Sequence, residues 1–209
     1  MRDERLIARN TKLWKLESLK FVYSFIRTMS YTEIFFIGRV NAGKSTLIKK
    51  LFGLKTRVGG RPGVTQTPIR YQINNLTITD LPGLGFKRGL KSYGTIVPEM
   101  IDYARQNTRR QLLGVHVIDA RSFIDVLEAH STPLDVEIFE YLLDLEIEPI
   151  VAVNKMDKIR EPELSMDAIV SRLGMLPPYK QWADRVVPVS AKKGQVSQLA
   201  WLLNQRCII

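Results

Sequence analysis

Residues 38–45 have the sequence GRVNAGKS, which matches G-x-x-x-x-G-K-S between an apolar run and a predicted helix. In such a loop the backbone N–H groups converge on phosphates, and the helix N-terminus adds a partial positive charge. Lys44 would reach the β- and γ-phosphates, and the Ser45 hydroxyl would bind Mg²⁺. The pattern predicts a nucleoside triphosphate site. The expected contacts are Gly38, Arg39, Val40, Asn41, Ala42, Gly43, Lys44, Ser45 and Thr46.

A second short segment, DLPG at residues 80–83, also follows a predicted strand. Asp80 can hold Mg²⁺ through water, and the Gly83 amide can meet the γ-phosphate. Leu81 and Pro82 complete the contact. Alone, this tetrapeptide is equally typical of an ordinary turn. Its position after a strand and downstream of the phosphate loop favours a role at the same nucleotide.

The segment NKMD at residues 154–157 selects the base. A carboxylate is a pair of acceptors, and guanine offers N1–H and its amino group as a matching pair of donors, whereas adenine does not. Asp157 would therefore choose guanine, and a hydrogen-bonded choice of this kind discriminates strongly. Asn154 would tie neighbouring loops together, while Lys155 would lie along the base beside Met156.

Two further segments complete the predicted site. Residues 189–191 follow another strand, and their expected contacts are Val189, Ser190 and Ala191, whose amide is a candidate donor to guanine O6. The segment RPGVTQTPI, residues 61–69, supplies Thr65 as a Mg²⁺ ligand once it closes over the γ-phosphate. Order gained with GTP and lost on hydrolysis would make this segment a switch. Its expected contacts are Gly63, Val64, Thr65, Gln66 and Thr67.

The hydropathy pattern alternates between strands and helices and predicts the scaffold for these segments. The predicted strands are EIFFI, IRYQI, LTITD, LLGVHVID, PIVAV and RVVPVS, and the predicted helices are residues 44–52, 98–111, PLDVEIFEYLLDLE, 166–175 and QVSQLAWLLNQ. This order indicates an α/β fold with a mainly parallel sheet, one antiparallel strand in a hairpin at Asn74-Asn75, and helices on both faces. Loops at the carboxyl ends of the strands would form one site. These are residues 38–45, 80–85, 119–122, 154–157 and 190–193.

Charge is distributed unevenly along the 209 residues, whose formal net charge is +10. Residues 31–110 contain fourteen basic and four acidic residues, whereas residues 111–160 contain four and ten. The basic half suggests a polyanionic partner such as RNA or an anionic membrane, or merely a solvated surface. The single cysteine, Cys207, excludes an internal disulfide and fits a reducing compartment. His116 is expected in the core and His130 in a loop.

The N-terminal residues 1–30 are predicted to form a basic amphipathic extension, and residues 31–209 the nucleotide-binding domain. Residues 10–29 fit an amphipathic helix, which would pack on the domain, lie on a membrane or meet a partner. The sequence contains no apolar run of the ~20 residues that a membrane span needs, and it lacks the layout of a signal peptide. We expect a cytoplasmic protein without stable membrane insertion and, as a separate expectation that the sequence does not settle, a monomer.

The segments GRVNAGKSTLI, PGVTQ, DLPGLGF, VIDAR, NKMDK and VSAKKG together resemble the EngB family of ribosome-assembly GTPases, over roughly residues 33–200. The resemblance is to an archaeal-type or divergent member and implies the P-loop GTPase fold, GTP and GDP as ligands, and Mg²⁺. It also implies a role in maturing the large ribosomal subunit, contact with rRNA and a link to cell division and septation. Basic residues beside the second switch, Lys87, Arg88 and Lys91, are compatible with rRNA.

Leu84 departs from the usual catalytic pattern, because many GTPases carry a glutamine directly after a glycine like Gly83. An apolar side chain cannot orient water, so hydrolysis would be slow and would depend on charge stabilisation and outside help. The candidate catalytic groups are Lys44, Thr65, Gly83 and Asn41. In related GTPases of the N-x-GKS form, the asparagine helps to coordinate K⁺. Asn41 would do the same or would only stabilise its own turn.

Two other functions remain compatible with these residues. One is a membrane-associated GTPase that uses residues 10–29 as an interfacial helix on anionic lipid. The other is a non-catalytic module that senses guanine nucleotides through its switches alone. Binding to ribosomal subunits or to liposomes separates the first from the ribosomal function, and a turnover assay separates the second.

Overall fold

The computed structural model describes residues 31–54, 67–74, 76–84, 97–99, 111–147 and 149–206. The strands are β1 (Tyr31–Ile37), β2 (Ile69–Ile73), β3 (Leu76–Asp80), β4 (Gln111–Asp119), β5 (Ile150–Asn154) and β6 (Val186–Pro188). The helices are α1 (Lys44–Phe52), α2 (Ala120–Glu128), α3 (Leu134–Asp144), α4 (Pro162–Gly174) and α5 (Ser197–Arg206), with a 3₁₀ turn at Met156–Lys158.

The six strands form one sheet in the order β2-β3-β1-β4-β5-β6. All neighbouring strands are parallel except β2 and β3, which form an antiparallel hairpin through Asn74. The chain leaves β1 towards β3 on one side and later adds β4 on the other. The carboxyl end of β1 therefore lies where the direction of winding changes, the place at which α/β sheets bind ligands.

Both faces of the central strands are buried, which explains why residues 34–37 of β1 are all apolar. Ile34 and Phe36 face one core with α1 and α5, whereas Phe35 and Ile37 face another with α3. This division follows from the alternation of side chains along a strand. A third cluster fills the space under α2 and α4 and includes Trp182. The two covered faces hold the carboxyl ends of β1, β3, β4 and β5 in fixed relation.

The sequence predicted this architecture and most of its elements. The α/β class, the mainly parallel sheet, the hairpin and the helix on residues 44–52 are confirmed. The predicted loop at 119–122 is wrong, because α2 begins at Ala120 with Asp119 as its N-cap and Ser122 donating its amide to that carboxylate at 3.5 Å. Helix α4 begins at Pro162 rather than at residue 166, since proline is well suited to the first helical turn.

Several predicted features lie outside the described residues. They are the amphipathic extension at 1–30, most of the predicted switch at 61–69, the basic residues Lys87, Arg88 and Lys91, most of the predicted helix at 98–111, and Cys207. Residues 97–99 are helical, and Val97 is buried. Among the residues that are described, no helix is long and apolar enough to cross a membrane.

Candidate guanine-nucleotide site

The phosphate loop, residues 38–43, joins β1 to α1 and holds Lys44 against its own backbone. The Lys44 ammonium donates to the carbonyl oxygens of Gly38 at 3.0 Å and Arg39 at 3.1 Å. Burial lowers the pKa of Lys44 to about 8. The negative charges of Asp80 and Asp135 raise this pKa, but their effect is smaller than that of burial. The protonated form therefore predominates at pH 7, and the loop presents a positive charge for phosphate.

Glycine is required at two positions of this loop. The φ angles of Gly38 and Gly43 are +150° and +100°, a region that other residues rarely adopt. A Cβ atom on Gly38 would also run into the carbonyl group of Val117 on β4, and one on Gly43 would meet the side-chain amide of Asn154. The close approach of the loop to β4 and to the base-binding segment thus explains both glycines.

Ser45 and Asp80 form the part of the site that fits a magnesium ion. The Ser45 hydroxyl donates to Asp80 Oδ2 at 2.5 Å, and Asp80 is 1% exposed. The other carboxylate oxygen, Oδ1, is buried and has no hydrogen-bond partner among the described residues. Burial raises the pKa of Asp80, while Ser45 and Lys44 oppose that shift. An unpartnered carboxylate oxygen beside a hydroxyl suits a hard cation such as Mg²⁺.

The donor set at Asp80 is small. No cluster of three or more His, Cys, Asp or Glu side chains able to hold a metal occurs in the described part of the chain. Magnesium usually keeps waters and phosphate oxygens in addition to one or two protein ligands. The pair Ser45 and Asp80 therefore fits an ion that arrives with a nucleotide and keeps further ligands from water and phosphate.

Leu84 lies in the core and not in the nucleotide site. Its side chain is 3% exposed and packs in the cluster that contains Phe35, Ile37 and Ile138. Its backbone pairs with the phosphate loop: the Val40 amide donates to Leu84 O at 2.6 Å, and the Leu84 amide donates to Gly38 O at 3.2 Å. Leu84, which stands where many GTPases have a glutamine, is thus a packing residue. Its backbone joins residues 80–84 to the phosphate loop by hydrogen bonds.

We expect the substitution Leu84→Gln to destabilise the fold without accelerating hydrolysis. The glutamine amide would enter an apolar cluster without hydrogen-bond partners, at a cost of about 3 kcal/mol. Thermal melting should show the loss, and single-turnover hydrolysis per folded molecule should stay at the wild-type rate. Leu84→Met, which conserves volume and polarity, is the matched control. Faster turnover by the glutamine variant would show that the side chain reaches the phosphates.

Asn154 joins three loops at the carboxyl edge of the sheet. Its side-chain amide donates to the Ala42 carbonyl at 2.8 Å, and its Oδ1 accepts from the Ala191 amide at 3.0 Å. The side chain is almost completely buried. These are the ties between loops that the sequence predicted. The Ala191 amide donates to Asn154 Oδ1 in this structure, and its contact with guanine O6 stays a prediction.

Asp157 is exposed and lies beside Ser190 at the same edge of the sheet. Its Oδ1 accepts from the Ser190 hydroxyl at 2.5 Å, and this hydrogen bond lowers the pKa of the Asp157 carboxyl. Lys155 has a φ of +66° and its ammonium contacts Asp119 Oδ2 at 2.5 Å. The Met156 amide donates to Val189 O at 3.3 Å. An ionised carboxylate held by a serine can accept a pair of donors from a base.

The structure gathers most of the predicted site. Four segments meet at one edge of the sheet: residues 38–46, 80–83, 154–157 and 189–191. Gly63, Val64, Thr65 and Gln66 lie outside the described residues, and Thr67 is exposed. Their roles stay predictions. His116 is buried in β4 and His130 lies in a turn, as expected.

Sequence reasoning missed the residues around Arg39. The Arg39 guanidinium donates to Ser122 Oγ at 3.0 Å and lies 3.7 Å from Asp135 Oδ2. Asp135 is completely buried in the first turn of α3. The sequence did contain an indication that Asp135 is buried. In PLDVEIFEYLL this aspartate occupies the apolar face of the predicted helix.

Comparison with known proteins agrees with this geometry. Residues 33–155 match the family model described as "50S ribosome-binding GTPase". The "Probable GTP-binding protein EngB" of Methanosarcina barkeri is 42% identical over 182 residues, which cover 83% of this chain and 87% of the relative. A crystal structure of a probable GTP-binding protein EngB aligns with a TM-score of 0.63 at 32% identity and covers 83% of this chain and 100% of that one.

A crystal structure of a more distant protein, Era, also aligns with the chain. It contains MgGDPNP and nucleotides 1506–1542 of 16S ribosomal RNA. The TM-score is 0.58 at 25% identity, and the alignment covers 85% of this chain and 57% of the Era chain.

Proposed function

We propose, from the premise that this chain belongs to the EngB family of GTP-binding proteins, that it acts as a GTP-driven switch in assembly of the large ribosomal subunit. The chain is a GTPase of the ribosome-binding type. Its partner would be a precursor of the large subunit in the cytoplasm, approached through rRNA. A link to cell division stays a prediction of the resemblance.

The observation that carries the nucleotide part of this proposal is the Asn154 side chain, which binds the phosphate loop and the base loop at the same time. A nucleotide lying between Lys44 and Asp157 would contact both loops. Its binding would therefore be transmitted to Ala42 and Ala191, since they share one buried side chain. The family model supports the ribosomal part, and the rRNA bound by Era supports a contact with RNA.

The chemistry that we propose rests on charge stabilisation. Lys44 would place its ammonium on the β- and γ-phosphates, and Ser45 and Asp80 would hold Mg²⁺, which neutralises charge between these phosphates when bound. The Gly83 amide would donate to the γ-phosphate. With Leu84 in the core, no glutamine follows Gly83 to orient water, so intrinsic hydrolysis would be slow. A ribosomal partner would supply the missing groups.

Potassium at Asn41 is a further part of the proposal. Asn41 is exposed and has a φ of +62°. Asparagine tolerates this left-handed region better than most residues, which accounts for its presence even without an ion. Because the residue is exposed, its amide oxygen would nevertheless be accessible to a monovalent cation beside the phosphates. The sequence offered these two roles for Asn41, and both are compatible with the position.

Fractionation of ribosomal particles tests the proposed function. We expect the purified protein to co-sediment with precursors of the large subunit when it is loaded with a non-hydrolysable GTP analogue, and to remain at the top of the gradient with GDP. Binding should weaken as salt rises, since phosphate contacts release counterions. Equal distribution with both nucleotides would contradict the switch, and binding to anionic liposomes in place of particles would favour the membrane alternative.

A further inference from the structure

A buried carboxylate that nucleotide chemistry does not use lies behind the phosphate loop. Asp135 is 0% exposed, and neither of its oxygens has a hydrogen-bond partner among the described residues. A buried carboxylate requires a positive or polar partner, because desolvation strongly disfavours its charge. An apolar residue would fill the same space in α3 without that cost. The aspartate therefore requires an explanation beyond packing.

Two side chains approach this carboxylate from different elements. Arg39 Nη1, from the phosphate loop, lies 3.7 Å from Asp135 Oδ2. His116 Nε2, from β4, lies 3.6 Å from Asp135 Oδ1. His116 is itself completely buried, and its ring stacks on Phe139 of α3 with centroids 6.4 Å apart. The carboxylate thus connects α3 to the loop and to the strand next to it.

Arg39 is the residue through which this connection reaches the nucleotide site. Its carbonyl oxygen accepts from the Lys44 ammonium at 3.1 Å and from the Ala42 amide at 3.2 Å. Its side chain donates to Ser122 Oγ at 3.0 Å on α2. The peptide that holds Lys44 therefore belongs to a residue whose side chain is fixed by α2 and α3. Arg39 therefore has its carbonyl in contact with Lys44 and its guanidinium in contact with α2 and α3.

We propose that Asp135 is a positioning residue of the phosphate loop. Its carboxylate holds the Arg39 guanidinium, and this contact fixes the Arg39 carbonyl against which Lys44 is oriented for phosphate. Asp135 is not one of the residues assigned to the nucleotide; it acts on the loop through its contact with Arg39, and its negative charge also raises the pKa of Lys44. The proposal rests on GTP binding by this site and is independent of the ribosomal partner.

The experiment compares Asp135→Asn, Arg39→Met and the double variant with the wild type. Calorimetry would measure the affinity for GDP and for a non-hydrolysable GTP analogue, and thermal melting without nucleotide would measure stability. We expect each single variant to bind both nucleotides about tenfold more weakly. The double variant should bind no more weakly than the weaker single variant, because both changes break the same contact.

The preference for GTP over ATP should remain at the wild-type ratio in these variants, because Asp157 and Ser190 do not contact the Arg39 pair. Glu137→Gln, which removes a charge on the exposed side of the same helix, is the matched control and should bind as the wild type does. If Asp135→Asn does not fold, Arg39→Met and Arg39→Lys decide the question, since the Arg39 side chain is 29% exposed. The lysine variant should recover part of the affinity.

Three outcomes would overturn the proposal. Lower melting temperatures with wild-type nucleotide affinity would show that Asp135 serves stability alone. Additive losses in the double variant would show that Asp135 and Arg39 act separately. Wild-type affinity of a folded Arg39→Met variant would show that the guanidinium does not position the loop. Failure of the wild type itself to bind GTP would instead overturn the nucleotide site, which distinguishes the two hypotheses.

Discussion

Asp157→Asn is expected to weaken GTP binding about 10²–10⁴-fold while leaving the fold intact, because two charge-assisted hydrogen bonds to the base are lost. An asparagine presents one acceptor and one amide donor, so it matches guanine N1–H but opposes the guanine amino group. Xanthine carries a carbonyl in place of that amino group. The variant should therefore bind xanthosine nucleotides more tightly than GTP, which reverses the selectivity of the site.

Competition calorimetry with GTP, XTP and ATP measures this reversal. Asp144→Asn, an exposed aspartate at the end of α3, is the matched control and should keep the wild-type order of affinities. Ser190→Ala should also weaken GTP binding, but less than Asp157→Asn does, because it removes only the hydroxyl that contacts Asp157 Oδ1. If the Asp157→Asn variant bound GTP as tightly as the wild type, the base would be selected elsewhere.

The sequence predicted those parts of the site in which motif and scaffold are adjacent in the chain. The phosphate loop lies between β1 and α1, and the base-selecting segment directly follows β5, so local patterns define both the residues and their place at the carboxyl edge. The antiparallel hairpin was predictable for the same reason, since a turn at Asn74 separates two short strands. Local chemistry and local structure agree in these segments.

The sequence could not predict contacts between segments far apart in the chain. Leu84 stands at the position of the catalytic glutamine in the motif, yet its side chain lies in the apolar cluster that contains Phe35 and Ile138. The Arg39–Asp135 pair depends on how α3 meets the sheet, which no periodicity specifies. The engagement of the Ala191 amide by Asn154 likewise depends on the separation of two loops.

The phosphate loop is held by contacts of three kinds. Asn154 binds the Ala42 carbonyl, Leu84 pairs its backbone with Gly38 and Val40, and Arg39 reaches α2 and α3. The contact of Asn154 links the phosphate loop to the base-binding segment. The contact of Leu84 links it to residues 80–83, which would face the γ-phosphate. A change at Asn154 would alter both the phosphate loop and the base-binding segment, so at this contact the affinities for base and phosphate are expected to be coupled.

Asp80→Asn separates the role of the carboxylate in catalysis from its role in the fold. The variant should hydrolyse GTP at least about a hundredfold more slowly, because a neutral amide holds Mg²⁺ poorly. Its fold should be as stable as the wild type or more so without nucleotide. Burial raises the pKa of Asp80, which means that the ionised form is disfavoured inside the protein. An amide removes that cost, and its oxygen can still accept from Ser45.

The two effects are measured separately, by single-turnover hydrolysis over a range of Mg²⁺ concentrations and by thermal melting of the nucleotide-free protein. Asp125→Asn, a 63% exposed aspartate on α2, controls for loss of a carboxylate as such. Recovery of the wild-type rate at high Mg²⁺ would mean that the carboxylate sets affinity for the ion and contributes nothing further to the reaction. A melting temperature far below that of the wild type would assign Asp80 to the fold, since a merely unfolded enzyme is also inactive. If Asp80 holds the metal ion, the Asp80→Asn variant should be slow but stable. Such a result would mean that the buried charge of Asp80 is needed for the reaction although it lowers the stability of the fold.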